Sequence, residues 1–270
     1  MKANKRTFIF SKKDGQLKGV SVDNRKISFA NGPRFIGARR ADRSLDQFYN
    51  HDDEKAKEKD RTYSEFPDAA VFTKLDVKQD GGDLVVTANY KLGNLDKAQW
   101  TINPSGDLAL DYTYNFSGVV DLMGIRFDYP EDQVISKRWL GAGPYRVWQN
   151  RIHGTQYDVW ENDYNDPIPG ETFTYPEFKG YFGNVSWMNI QTKEGTISLT
   201  NETPDTYIGV YQPRDGRDRL LYTLPESGIS VLNVIPPVRN KVNSTDLCGP
   251  SSQPKWVNGP QTGRVIFRFM

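Results

Sequence analysis

The sequence predicts an all-β protein, a large antiparallel β-sandwich with long loops and little helix. Two observations carry the all-β prediction. Short segments rich in β-branched and aromatic residues recur along the chain, and turn sequences with Asp-Gly or Gly-Gly separate them. Because strands lie at both ends and no Pro/Ser-rich linker divides them, we expect one domain over residues 1–270.

The predicted strands can be placed in chain order. They are TFIF (7–10), AVFTKLDVKQ (70–79), DLVVTANYKL (83–92), LALDYTYNF (108–116), TISLT (196–200), GISVLNVI (228–235) and RVIFRF (264–269). Several alternate with period 2, as half-buried strands do. The sequences KKDGQ, QDGGD, NPSGD and PRDGRD supply the positive φ that hairpin turns need. The one helix candidate, residues 44–61, carries almost no apolar stripe in its second half, so we expect a surface excursion.

Composition excludes several classes of function. The 35 Lys and Arg residues against 34 Asp and Glu give a net charge of +1, which leaves no overall field to hold nucleic acid or an anionic membrane surface. The single Cys248 excludes an intrachain disulfide and a thiolate-rich metal site. No segment approaches the roughly 18 to 20 apolar residues of a membrane span. The opening MKANKRTFIF lacks the apolar region of a signal peptide. We expect the chain to be an excised piece of a longer protein. The sequence does not indicate the cellular compartment of that protein.

The sequence contains few candidate catalytic residues. The two histidines, His51 and His153, are too few for a three-His metal site and do not stand at H-E-x-x-H spacing. We expect His51 to be solvated in the charged excursion, and His153 either to bind a hydroxyl or to be an ordinary half-buried histidine. The sequence contains no G-x-S-x-G elbow and no Gly-rich phosphate loop. No cofactor, metal or catalytic residue is predicted.

Aromatic residues concentrate between positions 139 and 187, interleaved with Asn, Asp, Gln and Arg. They are Trp139, Tyr145, Trp148, Tyr157, Trp160, Tyr164, Phe173, Tyr175, Phe178, Tyr181, Phe182 and Trp187. Such a mixture suits a carbohydrate surface, because an aromatic ring stacks on the C–H face of a sugar while polar side chains meet its hydroxyls. An aromatic core wrapped by long loops fits the same pattern, and the sequence leaves both readings open.

Carboxylates crowd the same segment, at Asp158, Glu161, Asp163, Asp166, Glu171 and Glu177. A glycosidase needs two carboxyl groups about 5 to 9.5 Å apart across the scissile bond. Proximity in sequence does not establish such a pair, so we expect these residues to be solvated or to bind sugar hydroxyls. The predicted carbohydrate-binding residues are Trp148, Arg151, His153, Trp160, Glu161, Asp163 and Glu177.

The stretch WLGAGPYRVWQNR, residues 139–151, resembles the signature W-x-G-x-G-P-x-E-x-Y-x-D-R of the C-terminal, small-chain domain of family 2 β-galactosidases. The residues in register are Trp139, Gly141, Gly143, Pro144 and Arg151, with Trp148 at the Tyr position. Residues 10–42 have the order of the family's opening strands. YPEFKG resembles P-Q-E-x-G, and DLCGP (246–250) resembles D-S-W-G-P, so the likeness covers nearly the whole chain in order.

The resemblance implies a galactose-mutarotase-like supersandwich that packs against a catalytic (β/α)8 barrel and forms one wall of its sugar pocket. The catalytic Glu pair would lie on that barrel, and this chain alone would hydrolyse nothing. Three positions depart from the family pattern. Arg146 replaces Glu, Asn150 replaces Asp, and Cys248 stands where relatives place a Trp in the galactose subsite. Because a thiol offers no stacking face, the last change favours another glycoside or a lost pocket-lining role.

Two alternatives remain. The chain could be a stand-alone carbohydrate-binding protein that uses its aromatic cluster. It could also be an aldose mutarotase or epimerase, in which His153 would act with Glu171 or Glu177 as acid and base. The second alternative rests on fold analogy, which is a weak basis for function.

Overall fold

A computed structural model of the chain describes residues 1–40, 63–164, 179–212, 224–238 and 250–270. These residues form β-strands and two short 3-10 turns, Glu131–Gln133 and Pro250–Ser252. The strands are β1 (Lys2–Ala3), β2 (Arg6–Phe10), β3 (Leu17–Val22), β4 (Arg25–Ile27), β5 (Ala30–Arg40), β6 (Tyr63–Glu65), β7 (Val71–Asp80), β8 (Asp83–Lys91), β9 (Leu95–Ile102), β10 (Leu108–Val120), β11 (Leu122–Asp128), β12 (Val134–Gly143), β13 (Gln156–Asp163), β14 (Phe182–Gly183), β15 (Trp187–Thr192), β16 (Gly195–Asn201), β17 (Tyr207–Gly209), β18 (Ile229–Val234) and β19 (Lys255–Phe269).

The strands form two antiparallel sheets. One has ten strands in the order β1-β2-β3-β5-β11-β18-β17-β14, with β4 paired to β3 and β6 paired to β5. The other has nine strands in the order β13-β12-β15-β16-β19-β10-β9-β8-β7. The sheets pack face to face, since the ring of Phe35 on β5 lies 5.5 Å from that of Tyr114 on β10. The predicted all-β fold, a large antiparallel sandwich, is confirmed.

The predicted strands overlap with β2, β7, β8, β10, β16, β18 and β19, although β19 begins at Lys255, nine residues before the predicted start. Three predicted turns are also present, with Gly15, Gly81 and Gly106 at positive φ. The excursion at 44–61 and the PRDGRD turn lie outside the described residues. The sequence analysis did not predict several strands, among them β5, β9, β11, β12, β13 and β15. Charged residues or glycines interrupt the apolar pattern of β9, β12 and β13. No helix in the described ranges is long and apolar enough to cross a membrane.

Interlocking aromatic rings fill the space between the sheets. Phe127 on β11 stacks on Phe29 at 4.7 Å, and its ring meets the edge of Trp100 on β9 at 5.9 Å. Phe267 on β19 packs on Phe29 at 4.9 Å. A Cβ added at Gly32 would lie 2.2 Å from the Phe127 ring, so only glycine allows this approach. These aromatic side chains contribute several kcal/mol each by burial and therefore join the two sheets.

Side chains alternate between the core and the solvent along the nine-stranded sheet. On β10, Tyr112 and Tyr114 are buried towards the other sheet, whereas Asp111, Thr113 and Asn115 point away from it. We call the side of the nine-stranded sheet that points away from the core the outer face. From β13 to β7, the strand registers pair outward residues with outward residues. The outward residues of neighbouring strands therefore lie side by side.

Phe127→Ala is expected to destabilise the protein by about 3 to 5 kcal/mol, because it removes a ring that contacts both sheets and leaves a cavity. Val77→Ala, at a position on β7 that is 51% exposed, is the matched control and should change stability by less than about 0.5 kcal/mol. Urea unfolding followed by circular dichroism measures both. Equal effects of the two substitutions would contradict this assignment of the core.

Buried phenols are expected to govern stability at alkaline pH. Burial raises the pKa of Tyr90, Tyr112, Tyr114, Tyr129 and Tyr181 above the ordinary value near 10. The unfolded state therefore loses these protons first. Stability from these groups is full below about pH 10 and falls as the pH rises above it. Phenolate absorbance should rise at higher pH in the native protein than in urea, and coincident titration curves would contradict the prediction.

Candidate carbohydrate site at the edge of the nine-stranded sheet

The family signature lies on a hairpin at one edge of the nine-stranded sheet. β12 pairs with the edge strand β13, with Trp139 opposite Trp160 and Gly143 opposite Gln156. Residues 144–155 join the two strands, and we call them the signature loop. Backbone hydrogen bonds between Val147 and Tyr181, of 2.7 and 2.8 Å, tie this loop to the chain before β14.

The two glycines of the signature permit two close approaches. A Cβ added at Gly141 would lie 3.0 Å from the backbone oxygens of Gly183 and Asn184, and one at Gly143 would lie 2.4 Å from the indole of Trp160. Gly141 therefore lets a neighbouring backbone pass closely, and Gly143 lets an aromatic ring rest on the strand. These approaches explain why glycine and tryptophan occur together in the signature.

Two of the tryptophans are core residues. Trp139 is fully buried, its Nε1–H donates to the carbonyl oxygen of Ala142 at 3.0 Å, and its ring meets the edge of Phe182 at 4.9 Å. Trp148 is only 3% exposed and packs edge to face on Tyr181 at 5.8 Å. Trp139 and Trp148 therefore belong to the aromatic core. Trp148 attaches the signature loop to that core.

The remaining predicted residues of β13 divide between two sides of the strand. Trp160 is half-buried, lies over Gly143 on the core side, and donates from Nε1 to the carbonyl oxygen of Gln156 at 3.3 Å. Glu161 and Asp163 point to the outer face, because successive side chains on a strand alternate. The structure thus separates the half-buried indole from both carboxylates.

The outer side of this edge carries charged side chains together with two exposed apolar ones, Tyr157 and Val159. Glu161 forms an ion pair with Arg138 of β12 at 3.9 Å. Tyr157 is 58% exposed, and its hydroxyl lies 2.6 Å from Oγ of Ser186. We call Tyr157, Glu161, Asp163 and Arg138 the outer edge surface.

Arg151 and His153 are exposed residues of the signature loop. The backbone N–H of Arg151 donates to Trp148 at 2.9 Å, which closes a tight turn. The carbonyl oxygen of His153 accepts a hydrogen bond from the Tyr145 hydroxyl at 3.2 Å. Glu177 lies outside the described residues, as do Asp166, Glu171 and Cys248.

Two buried cations lie next to this edge, and both contact the ring of Tyr211. Nζ of Lys137 is 5.3 Å from the ring centroid, and Cζ of Arg146 is 5.0 Å from it. Lys137 also donates to the carbonyl oxygens of Asp163 and Tyr164, at 2.9 and 2.5 Å. Sequence reasoning missed Lys137. The available signal was its position two residues before Trp139, which places both side chains on the core side of β12.

A half-buried carboxylate and an exposed phenol lie next to these two buried cations. Glu131 accepts hydrogen bonds from the Tyr164 hydroxyl at 3.0 Å and from the backbone N–H of Gln212 at 2.9 Å. Burial lowers the pKa of Arg146 to about 10, while Tyr211 and Glu131 act in the opposite direction. Arg146 therefore stays charged at neutral pH. We call Glu131, Lys137, Arg146, Tyr164 and Tyr211 the Tyr211 cluster.

A small cavity of about 230 Å³ lies beside the Tyr211 cluster. Its lining includes two glutamates, Glu131 and Glu226, together with Tyr129 and Gln212. Both carboxylate oxygens of Glu131 already accept hydrogen bonds, and Glu226 is exposed. The volume is also below the roughly 300 to 1,000 Å³ of ordinary ligand pockets. Elsewhere in the described ranges, no group of three His, Cys, Asp or Glu residues is placed to hold a metal ion.

This geometry defines a two-layered antiparallel β-sandwich whose edge hairpin carries aromatic, carboxylate and arginine side chains. A protein-family profile described as the beta-galactosidase small chain matches residues 2–237. The chain belongs to that family, which confirms the resemblance seen in the sequence. A search of curated proteins found no match.

Solved structures with similar folds were also found. An alpha-N-acetylgalactosaminidase from Bifidobacterium bifidum matches with 12% identity and a TM-score of 0.47, covering 100% of this chain and 36% of that one. A galactose 1-epimerase from Lactobacillus acidophilus matches with 7% identity and a TM-score of 0.48, covering 100% and 92%. The chain thus spans about a third of the length of the first of these proteins.

Tyr211→Leu is expected to destabilise the protein by about 1 to 3 kcal/mol more than Tyr211→Phe, because leucine removes both cation–π contacts and phenylalanine keeps the ring face. Urea unfolding of the two variants and the parent chain measures the difference. Equal losses from the two substitutions would show that the ring face does not stabilise Lys137 and Arg146.

Proposed function

We propose that the chain is a non-catalytic, carbohydrate-contacting C-terminal domain of a family 2 glycoside hydrolase. It lines part of a sugar site whose catalytic Glu pair lies on another domain of the parent protein. The observation that carries this proposal is the match to the beta-galactosidase small-chain family over residues 2–237. Catalysis would then depend on a parent chain, and this domain would shape the site.

The arrangement of the carboxylates supports a role without acid and base catalysis. Glu161 and Asp163 are two residues apart on one strand and point to the same outer face. A glycosidase pair instead faces inward from two sides of the scissile bond, about 5 to 9.5 Å apart. Glu161 also pairs with Arg138. Both carboxylates therefore point away from the side of the strand that carries Trp160.

The proposed sugar contact uses the end of the β12–β13 hairpin. Trp160 offers a half-buried indole whose position is fixed by Gly143. Arg151 and His153 are exposed on the loop that joins the two strands and supply hydrogen-bond donors. Trp148 acts from the core by holding this loop in place. The indole would stack on the C–H face of a pyranose, and the polar side chains beside it would bind the hydroxyl groups of the sugar.

The isolated chain is expected to release no nitrophenol from a nitrophenyl β-galactoside above the rate in buffer. The parallel assay uses Glu161→Gln and Asp163→Asn. Hydrolysis by the chain that disappears in either variant would refute the proposal, because the catalytic carboxylate would then lie on this polypeptide. Accelerated mutarotation of fresh α-galactose, measured by polarimetry, would support the epimerase alternative instead.

Calorimetry with galactose is expected to detect only weak, millimolar binding that Trp160→Ala lowers by about tenfold, the loss of one stacking face. Tyr157→Ala is the matched control, because Tyr157 is on the same strand but on the outer face. The control should bind galactose as the parent chain does. Micromolar binding would support a stand-alone carbohydrate-binding protein, and equal effects of both variants would contradict the assignment to Trp160.

A further inference from the structure

An exposed tryptophan marks a second surface of the molecule. Trp256, near the start of β19, is 71% exposed and lies opposite Val119 of β10. Its side chain points to the outer face, as does that of Arg264 eight residues later, since the two positions differ by an even number. Four strand spacings of about 4.8 Å separate β19 from the edge strand β13. Trp256 is therefore remote from Trp160.

A ladder of polar pairs continues from Trp256 along the outer face. Ser117 donates to the side-chain oxygen of Asn258 at 2.7 Å, and Thr113 lies opposite Thr262. Asp111 and Arg264 form the next outward pair, at 2.5 Å. We call these residues of β10 and β19, from Trp256 to Arg264, the outer track. At about 3.4 Å per residue its length is roughly 27 Å, enough for several sugar rings in a row.

The outer track ends in a concave pocket of about 420 Å³. Arg264 is one of its lining residues and is bound by Asp111 and also by Glu202 at 2.9 Å. Lys97 and Gln99 of β9 complete the floor, and the loop after β16 forms a wall. The carboxylates accept hydrogen bonds, whereas the cations and the amide donate them. The pocket therefore presents acceptors and donors side by side, as the hydroxyls of a sugar require.

We propose that the outer track is a second carbohydrate-binding surface, which holds a neutral oligosaccharide with one ring stacked on Trp256 and another in the Arg264 pocket. This inference goes beyond the proposed function, because the track shares no residue with the site at Trp160. It does not require the edge site to bind sugar.

The surroundings of Trp256 favour a sugar over a protein partner. A protein-binding hot spot lies in an apolar surround with few charges at its centre. Here the outward residues beyond Trp256 carry amide, hydroxyl, carboxylate and guanidinium groups, with Pro260 opposite Asn115 as the one apolar residue among them. The pocket holds cations and carboxylates together, which also suits a neutral ligand better than an anionic one. An isolated aromatic face followed by hydroxyl-binding groups is typical of a sugar site.

The test is calorimetry of the full chain with β-1,4-galactotetraose as the probe. Trp256→Ala is expected to weaken binding about tenfold, and Trp256→Tyr, which keeps a ring, should stay within about threefold of the parent chain. Asp111→Asn should also weaken binding, because it replaces one acceptor oxygen by an amide donor and removes the charge that pairs with Arg264. Val77→Ala, on the edge strand β7 and outside both proposed sites, should leave tetrasaccharide binding unchanged. Trp160→Ala removes the ring of the edge site, so the binding that remains in this variant is assigned to the track. Urea unfolding confirms folding of each variant, and the exposure of Trp256 predicts an unchanged midpoint for its substitutions.

A second readout reports on the indole itself. Iodide should quench the exposed Trp256, and the tetrasaccharide should protect it in the parent chain but leave quenching unchanged in Trp256→Ala. Equal affinity of the parent chain and Trp256→Ala would overturn the proposal. A loss caused by Trp160→Ala alone would overturn it while leaving the proposed function standing. An effect of Trp256→Ala on self-association alone would identify a protein contact instead and would also overturn it.

Discussion

The packing of two aromatic sheet faces against each other is the constraint on which the rest of the structure depends. Phe29, Phe127 and Trp100 interlock between the sheets, and this contact determines which side of every strand is the core side. Because side chains alternate along a strand, the outward side is determined at the same time. The split between Trp160 and Glu161 on the edge strand follows from this alternation.

The packing of the two sheet faces also explains why two cations are buried next to the β12–β13 edge. Lys137 falls on the core side of β12 between buried residues, so its charge must be stabilised within the protein. Carbonyl oxygens and the ring of Tyr211 provide that stabilisation, and Arg146 contacts the same ring. Arg146 was noted in the sequence only as a departure from the family signature. In the structure it is a buried partner of Tyr211 and Phe182, which gives the departure a physical role.

Much of the fold was predictable from sequence, because local patterns encode it. Period-2 alternation and Asp-Gly turns located β8, β10 and the hairpins around them. The strand β12 was missed because its glycines and charges conceal the alternation, and those residues serve close packing at the edge. The candidate site was less predictable. Whether an aromatic residue is core or surface depends on strand register, so the sequence did not separate Trp148 from Tyr157. The role of the predicted sugar contacts stays a prediction.

The central claim is that sugar is contacted by exposed or half-buried rings on a rigid sandwich, without a catalytic pair on this chain. The six tryptophan indole N–H resonances give the most direct test in a nuclear magnetic resonance titration with galactose. The account predicts a shift of the Trp160 signal at low millimolar sugar, while the buried Trp100, Trp139 and Trp148 signals stay fixed. An unchanged Trp160 signal at these concentrations, or shifts confined to the buried tryptophans, would contradict it.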